Sequence, residues 1–297
     1  MKKLLFSALV GAMIISCSRD NDNTNPTTPQ TPATNETGIL PTKLTSSQTG
    51  EADKVTTFSY NGNKLMKVTR DNKDQTYTYT GDLITSINNP DGSSHVFNYD
   101  SNGNLISEKG ESYNGSIKFN ENNITYIVNG STVTAQKISK NYDDITGTLS
   151  SISTSTITYT LDAKKRPIKR VEVSEEKNTA GDITQKENNT STYQYANHHS
   201  LIENIKGMDK LNYSSFAIGG EDSDNIFFPV SYIKQEINRS FYHSGSLSHN
   251  NNYTREYMVE YTLNTNNYPT KIQFKTKDPA TGQYKNSDYY RTIEYNK

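Results

Sequence analysis

Apolar and polar residues alternate in short runs along most of this chain, and the runs recur. Phe58 and Tyr60 precede NGNKLMKV, Tyr77 and Tyr79 precede TGDLITSI, and Phe97 and Tyr99 precede DSNGNLI, so the first three units start 19 and 20 residues apart. Looser copies come later: Ile117 and Phe119 before NENNITYI, Tyr159 and Leu161 before DAKKRPIKRV, Tyr193 and Tyr195 before ANHHSLIENI, and Tyr261 and Leu263 before NTNNYPTKI. Ile293 and Tyr295 close the chain as a half-copy. Side chains two residues apart in a strand share a face. Tyr77 with Tyr79, and Tyr257 with Val259, Tyr261 and Leu263, therefore predict an apolar stripe turned inward, with Thr, Ser and Glu turned outward. The links carry turn chemistry, since Asn61-Gly62, Asn102-Gly103, Asn114-Gly115 and Asn129-Gly130 accept positive φ and Asn89-Pro90-Asp91-Gly92 fits a tight turn. Each unit predicts one hairpin, and successive units predict an all-β domain. Its expected form is a single large antiparallel meander that curves into a sheet, a roll or a barrel-like structure.

The pattern lapses between Ile205 and Tyr232, in KGMDKLNYSSFAIGGEDSDNIFFPVSY, which predicts an irregular insertion at about 206–231. Loops of this length either carry function or pack over an open end of a sheet. Phe216, Phe227 and Phe228 favour packing.

The first residues, MKKLLFSALVGAMIISC, place Lys2 and Lys3 before an apolar run too short to span a bilayer, the form of a secretory signal over 1–16. Ile14-Ile15-Ser16-Cys17 resembles the bacterial lipobox, which implies that Cys17, the one cysteine of the chain, takes a lipid and becomes the mature N-terminus. Residues 17–38 then read as a Thr/Pro/Asn tether with no apolar periodicity, and 39–297 as the repeat domain. Asp20 and Asp22 resemble the acidic export signal of Bacteroidota surface lipoproteins, interrupted by Arg19. The expected location is the outer membrane, lipid-anchored and facing the cell surface, with a periplasm-facing anchor as the alternative.

Hydrophobic residues make 31% of the chain, yet a net charge of −1 and 21 regularly placed tyrosines argue against disorder. The same charge balance gives no electrostatic footprint for nucleic acid. Of five histidines, His198 and His199 fall in a predicted hairpin turn, and His243 and His249 in the Ser/Asn-rich SGSLSHNNN. With no metal spacing beside them, these and His95 read as solvated residues. Asp222, Asp224 and Asn225, next to Glu221, resemble half of a calcium loop without its central Gly and distal Glu. Neither GxSxG nor a P-loop occurs, so no catalytic residue and no cofactor are expected.

YDSNGNLISEKG resembles the YD repeat of RHS-type wall proteins, matched by Tyr99, Asp100, Gly103, Asn104, Leu105 and Gly110. The whole chain is similar to Bacteroidota outer-membrane lipoproteins of unknown function, some with a porin-like curved sheet. RHS proteins wrap a far longer sheet around a toxin, and about seven units cannot enclose a second domain. The resemblance implies fold and address and transfers no catalytic residue. The function expected is a non-catalytic binding module for a glycan or peptide, tethered to the membrane through lipid on Cys17. The alternatives are a structural envelope component and a glycan hydrolase.

Growth with an alkyne-bearing fatty acid should label the wild-type protein but not Cys17→Ser, and the variant should leave the membrane fraction. A variant that keeps both label and membrane would overturn lipidation at Cys17.

Overall fold

Alternation over the repeats produces strands and nothing else of length. The computed structural model describes residues 38–218, 230–243, 246–278 and 281–297. Its strands are β1 (Pro41–Gln48), β2 (Lys54–Asn61), β3 (Lys64–Arg70), β4 (Lys73–Thr80), β5 (Leu83–Asn88), β6 (Ser94–Tyr99), β7 (Leu105–Asn114) and β8 (Ile117–Asn129). They continue as β9 (Thr132–Tyr142), β10 (Leu149–Leu161), β11 (Pro167–Asn178), β12 (Ile183–Tyr195), β13 (Val230–His243), β14 (Ser246–Leu263), β15 (Pro269–Lys277) and β16 (Tyr284–Tyr295). Each pairs antiparallel with the next, and β1 pairs with β16 to close the barrel. Closure removes the open edges that a meander would otherwise expose.

One device recurs at a single rim, where even strands meet the next odd ones, with β8 and β9 the pair that lacks it. Tyr60, Tyr79, Tyr99 and Tyr195 sit where the register shifts, with Met66, Thr85, Ile106 and Ser231 as the extra residues of the partner strands. Leu161, Leu263 and Tyr295 repeat this with Ile168, Thr270 and Thr42. A bulge of this kind bends and twists the strand, which a closed barrel needs. Tyrosine hydroxyls then reach back to the start of the preceding strand. Tyr60 donates to the Pro41 carbonyl at 2.7 Å, Tyr99 to Ile84 at 2.7 Å and Tyr195 to Pro167 at 2.6 Å. Tyr261 donates to Val230 and Tyr295 to Pro269, each at 2.7 Å.

The turns of this rim share a clamp as well. Asp100 accepts the Asn102 and Asn104 amides at 2.9 Å, Asp162 those of Lys164 and Arg166 at 2.9 Å, and Asn264 those of Asn266 and Tyr268 at 3.0 and 2.9 Å. The chain turns through positive φ at Gly103, Lys165 and Asn267. The aspartate of the YD-like copy thus has a structural duty that Asp162 and Asn264 perform elsewhere.

Three expectations are corrected. NENN is not a turn: β8 runs through it, because Asn120 donates to Asn141 at 2.8 Å and Ser139 donates to Asn122, pairing the polar residues inside the barrel. SGSLSHNNN likewise enters β14, and Leu263 at the rim stays 39% exposed rather than joining the buried stripe. ANHHSLIENI forms no hairpin, and the irregular segment begins directly after Tyr195 rather than at 206. Leu201, Ile202 and Ile205 lie in tight turns, not in a strand, and bury themselves with Met208, Leu211 and Tyr213 against Leu65, Ile84, Leu105 and Tyr159.

This segment caps the rim, as its length and phenylalanine suggest. Its Lys206 amide donates to Asn63, its Asn212 side chain to Lys165 and its Tyr213 hydroxyl to Leu105, at 3.0, 3.2 and 3.3 Å. His199 donates its amide to Asn267 at 3.0 Å, so one segment ties turns around the whole rim. Gly207, at φ 80, fits because a Cβ there would stand 2.7 Å from the Asp82 carbonyl oxygen.

The wall is polar outside, and inside it is apolar along the capped rim and β1 to β5 but polar across β8 to β13. Strand β4 turns Tyr77 inward and Asp74, Thr76 and Thr78 outward, and β13 turns Ile237 inward and Lys234, Glu236 and Asn238 outward.

Tyr99→Phe should lower unfolding free energy in urea by about 1 kcal/mol with an unchanged m-value. Tyr290→Phe, whose hydroxyl has no protein partner among the described residues, should change it by less than about 0.5 kcal/mol. Equal effects would show that the rim bonds carry no stability.

Candidate functional site

The core does not fill the barrel evenly. Beside the short strands β1 to β5 lies a cavity of 420 Å³, within the range of small-molecule sites. Leu44, Phe58, Leu65, Val68 and Tyr77 form its wall, and Leu201, Ile202, Ile205 and Phe216 of the capping segment close it above. Alternation explains the wall, since each residue holds an inward position of its strand.

Toward the opposite rim the lining turns polar, with Arg70, Asp71, Lys73, Gln75, Asn89 and Asp91 of the β3–β4 and β5–β6 hairpins. Gln75 is fixed at both ends, accepting from the Tyr77 hydroxyl at 2.6 Å and donating to Asn89 at 2.7 Å. The Asp91 carboxylate accepts the Ser93 amide at 2.9 Å. Arg70 donates through Nε to Thr56 at 3.1 Å. Arg291 also lines the cavity although it is only 1% exposed. Its Nε donates to the Tyr289 hydroxyl at 2.7 Å, and its guanidinium lies 5.2 Å from the Tyr289 ring centre and 5.5 Å from that of Phe274.

The cap is moored beside this cavity by a buried carboxylate. Glu108, 2% exposed, accepts the Tyr126 hydroxyl at 2.9 Å, the Ser215 amide at 3.1 Å and the Ser215 hydroxyl. Those donors offset the cost of burying the charge. The mooring aims Phe216 at His95, with ring centres 5.6 Å apart. His95 is not a solvated residue. It points inward from β6, stacked 6.1 Å from Phe97, with Nδ1 buried and without a hydrogen-bond partner among the described residues. Gly110 opposite supplies the room, since a Cβ there would come within 3.3 Å of the imidazole. Burial holds His95 below its ordinary pKa, opposed by the Glu108 carboxylate. His198 is also partly covered, with its ring 4.3 Å from that of Tyr261, and burial lowers its pKa too.

The candidate calcium residues Asp222, Asp224 and Asn225, together with Phe227, Phe228 and Cys17, lie outside the described residues. Sequence reasoning missed Arg70, Glu108 and Arg291. Arg291 was legible, because it shares parity with inward Ile293 and Tyr295 and is therefore a charge on an apolar stripe. Glu108 was hidden by the bulge at Ile106, which swaps the faces of β7 after Leu105.

An apolar interior with a fixed polar collar can bind and orient a ligand. Among the described residues, no three His, Cys, Asp or Glu side chains gather to hold a metal ion.

No family model matches the chain, and no curated protein matches it. Among solved structures it is similar to a porin-like protein from Bacteroides vulgatus, 17% identical with a TM-score of 0.51, covering 87% of this chain and 99% of that one. A porin-like protein from Bacteroides uniformis is 12% identical with a TM-score of 0.40, covering 85% and 96% respectively. The first likeness is one of fold.

Stability should fall as pH drops below about 6.5, because the unfolded chain then binds protons that buried His95 refuses in the folded state. His95→Gln should shrink the difference in urea midpoint between pH 7.5 and 5.5, leaving the part that His198 supplies. The same difference in both proteins would show that His95 does not supply it.

Proposed function

We propose that this chain is a non-catalytic binding module of the cell envelope that takes a small ligand into the barrel. The observation that carries this reading is the wall, apolar inward around a lined cavity and polar outward. A lipid-facing barrel needs an apolar band about 25 Å tall, and Lys or Arg near the bilayer midplane costs about 2–4 kcal/mol each. Here the outward positions hold Lys186, Asn188 and Thr190 on β12, Lys234 and Glu236 on β13, and Asn252, Thr254 and Glu256 on β14. Exposed apolar residues such as Ile127, Ile138 and Val173 stand singly among them and form no belt. The barrel accordingly stands in water at the outer membrane, held by lipid on Cys17 and facing the cell surface, and is no pore.

Tyrosine rings can stack on sugars or peptides, but the tyrosines here have other work. Tyr60, Tyr99, Tyr195, Tyr261 and Tyr295 bond to rim carbonyls, and Tyr77, Tyr126 and Tyr159 are core. A ligand is therefore better served by the cavity than by an aromatic platform on the sheet. A structural component without a ligand is the competing reading.

Two measurements separate these. Purified protein added to a planar bilayer should give no discrete conductance steps, and such steps would sink the placement of the barrel in water. A cavity ligand at a hundredfold excess over its Kd should add about 2.7 kcal/mol of stability, raising Tm by several degrees. A flat melting temperature across apolar, glycan and peptide panels would favour the structural component.

A further inference from the structure

The cavity of the proposed binding module is apolar along its length and basic where it opens. Leu44, Phe58, Leu65, Val68, Ile202 and Ile205 offer a hydrocarbon lining, against which each buried methylene of a ligand is favourable. Arg70 and Lys73 stand at the mouth as direct cross-strand partners of one hairpin. Like charges set opposite each other destabilise a strand pair. Neither residue has an ion pair among the described residues, although other basic residues nearby have them: Lys67 with Asp74 at 3.0 Å and Lys64 with Asp82 at 3.4 Å. The acidic residues of the mouth do not neutralise this pair. Asp91 turns its carboxylate to its own loop amide at Ser93, and Asp71 sits in the hairpin turn at φ 51. Arg291 adds a further buried positive charge to the cavity wall.

We propose that the cavity binds a free single-chain amphiphile with a carboxylate head, its hydrocarbon chain lying along Leu44, Leu65 and Val68 and its head between Arg70 and Lys73. This rests on the binding-module reading above. A carboxylate there relieves the repulsion across the hairpin and can accept two parallel bonds from the guanidinium. The closed cap and the 420 Å³ volume suit one chain rather than a two-chain lipid.

Full-length Cys17→Ser protein, prepared without detergent, is titrated calorimetrically with decanoate, decanol and decylammonium. Decanoate should bind at least tenfold more tightly than decanol, and decylammonium more weakly than either. Arg70→Gln should weaken decanoate about tenfold and leave decanol unchanged, with Lys73→Gln acting in the same direction. Val68→Trp, which fills the cavity, should weaken all three. Equal affinity for decanoate and decanol, or no loss in both charge variants, overturns the carboxylate assignment while leaving the cavity as a binding site. Failure of every amphiphile to bind overturns both, as does binding that Val68→Trp leaves intact.

Discussion

At Tyr60, Tyr99, Tyr195, Tyr261 and Tyr295 a phenolic hydroxyl donates to the first residues of the preceding strand, at the rim where every even strand but β8 meets a bulge in the next odd one. Everything else in the fold is arranged around that rim. The bulge supplies the bend that lets sixteen strands close, and the hydroxyl supplies a donor for a carbonyl at the strand end. Where the bulge residue is Thr or Ser, a second hydroxyl helps: Thr42, Thr85, Thr270 and Ser231 donate to Glu294, Thr78, Thr262 and Gln194 at 3.2 or 3.3 Å. Met66, Ile106 and Ile168 at the same position are instead exposed by 39 to 41%. Their exposure is a consequence of the bulge and needs no ligand to explain it.

The rim also decides where a site can exist. Residues 196–218 cross it and bury Leu201, Ile205 and Leu211, so the barrel is closed at that end and any small ligand must use the other. The cap stays in place because Gly207 allows its backbone onto Asp82 and because Glu108 receives Ser215. Across the barrel the interior is polar instead, with Arg239 donating to Glu187 at 2.7 Å and Arg170 paired with Glu172. Those charges pair with one another, although Arg170 Nε keeps no hydrogen-bond partner among the described residues; the apolar cavity under β1 to β5 is where an incoming molecule gains by displacing water.

Topology and function separate cleanly here. A meander of sixteen strands has the likeness of a porin-like protein at a TM-score of 0.51, yet the same topology serves a membrane channel or a barrel in water according to which face is apolar. The outward lysines, asparagines and glutamates of β12 to β14, rather than the strand order, are what the proposal of a barrel in water rests on.

The sequence by itself determined most strands, the Gly-bearing turns and the inward tyrosines, because period-two alternation and Asn-Gly or Asn-Pro-Asp-Gly links are local signals that neighbouring residues enforce; the Asn-rich stretches without Gly, such as NENN, misled it. Tyr77, Tyr126 and Tyr159 are core for that reason. It could not place a bulge, and each bulge exchanges the faces of the strand residues beyond it. Val171 and Val173 look like a buried stripe, yet the extra residue Ile168 turns Arg170 and Glu172 inward and leaves Val173 54% exposed. Glu108 moved to the core by the same shift at Ile106. Closure, too, lay beyond local pattern, since Leu44 meets Ile293 only once every intervening strand is in register. The cavity came last of all, because its wall, cap and basic mouth are drawn from strands and a loop far apart in the chain, and only packing brings Leu65, Ile202 and Arg291 to one space.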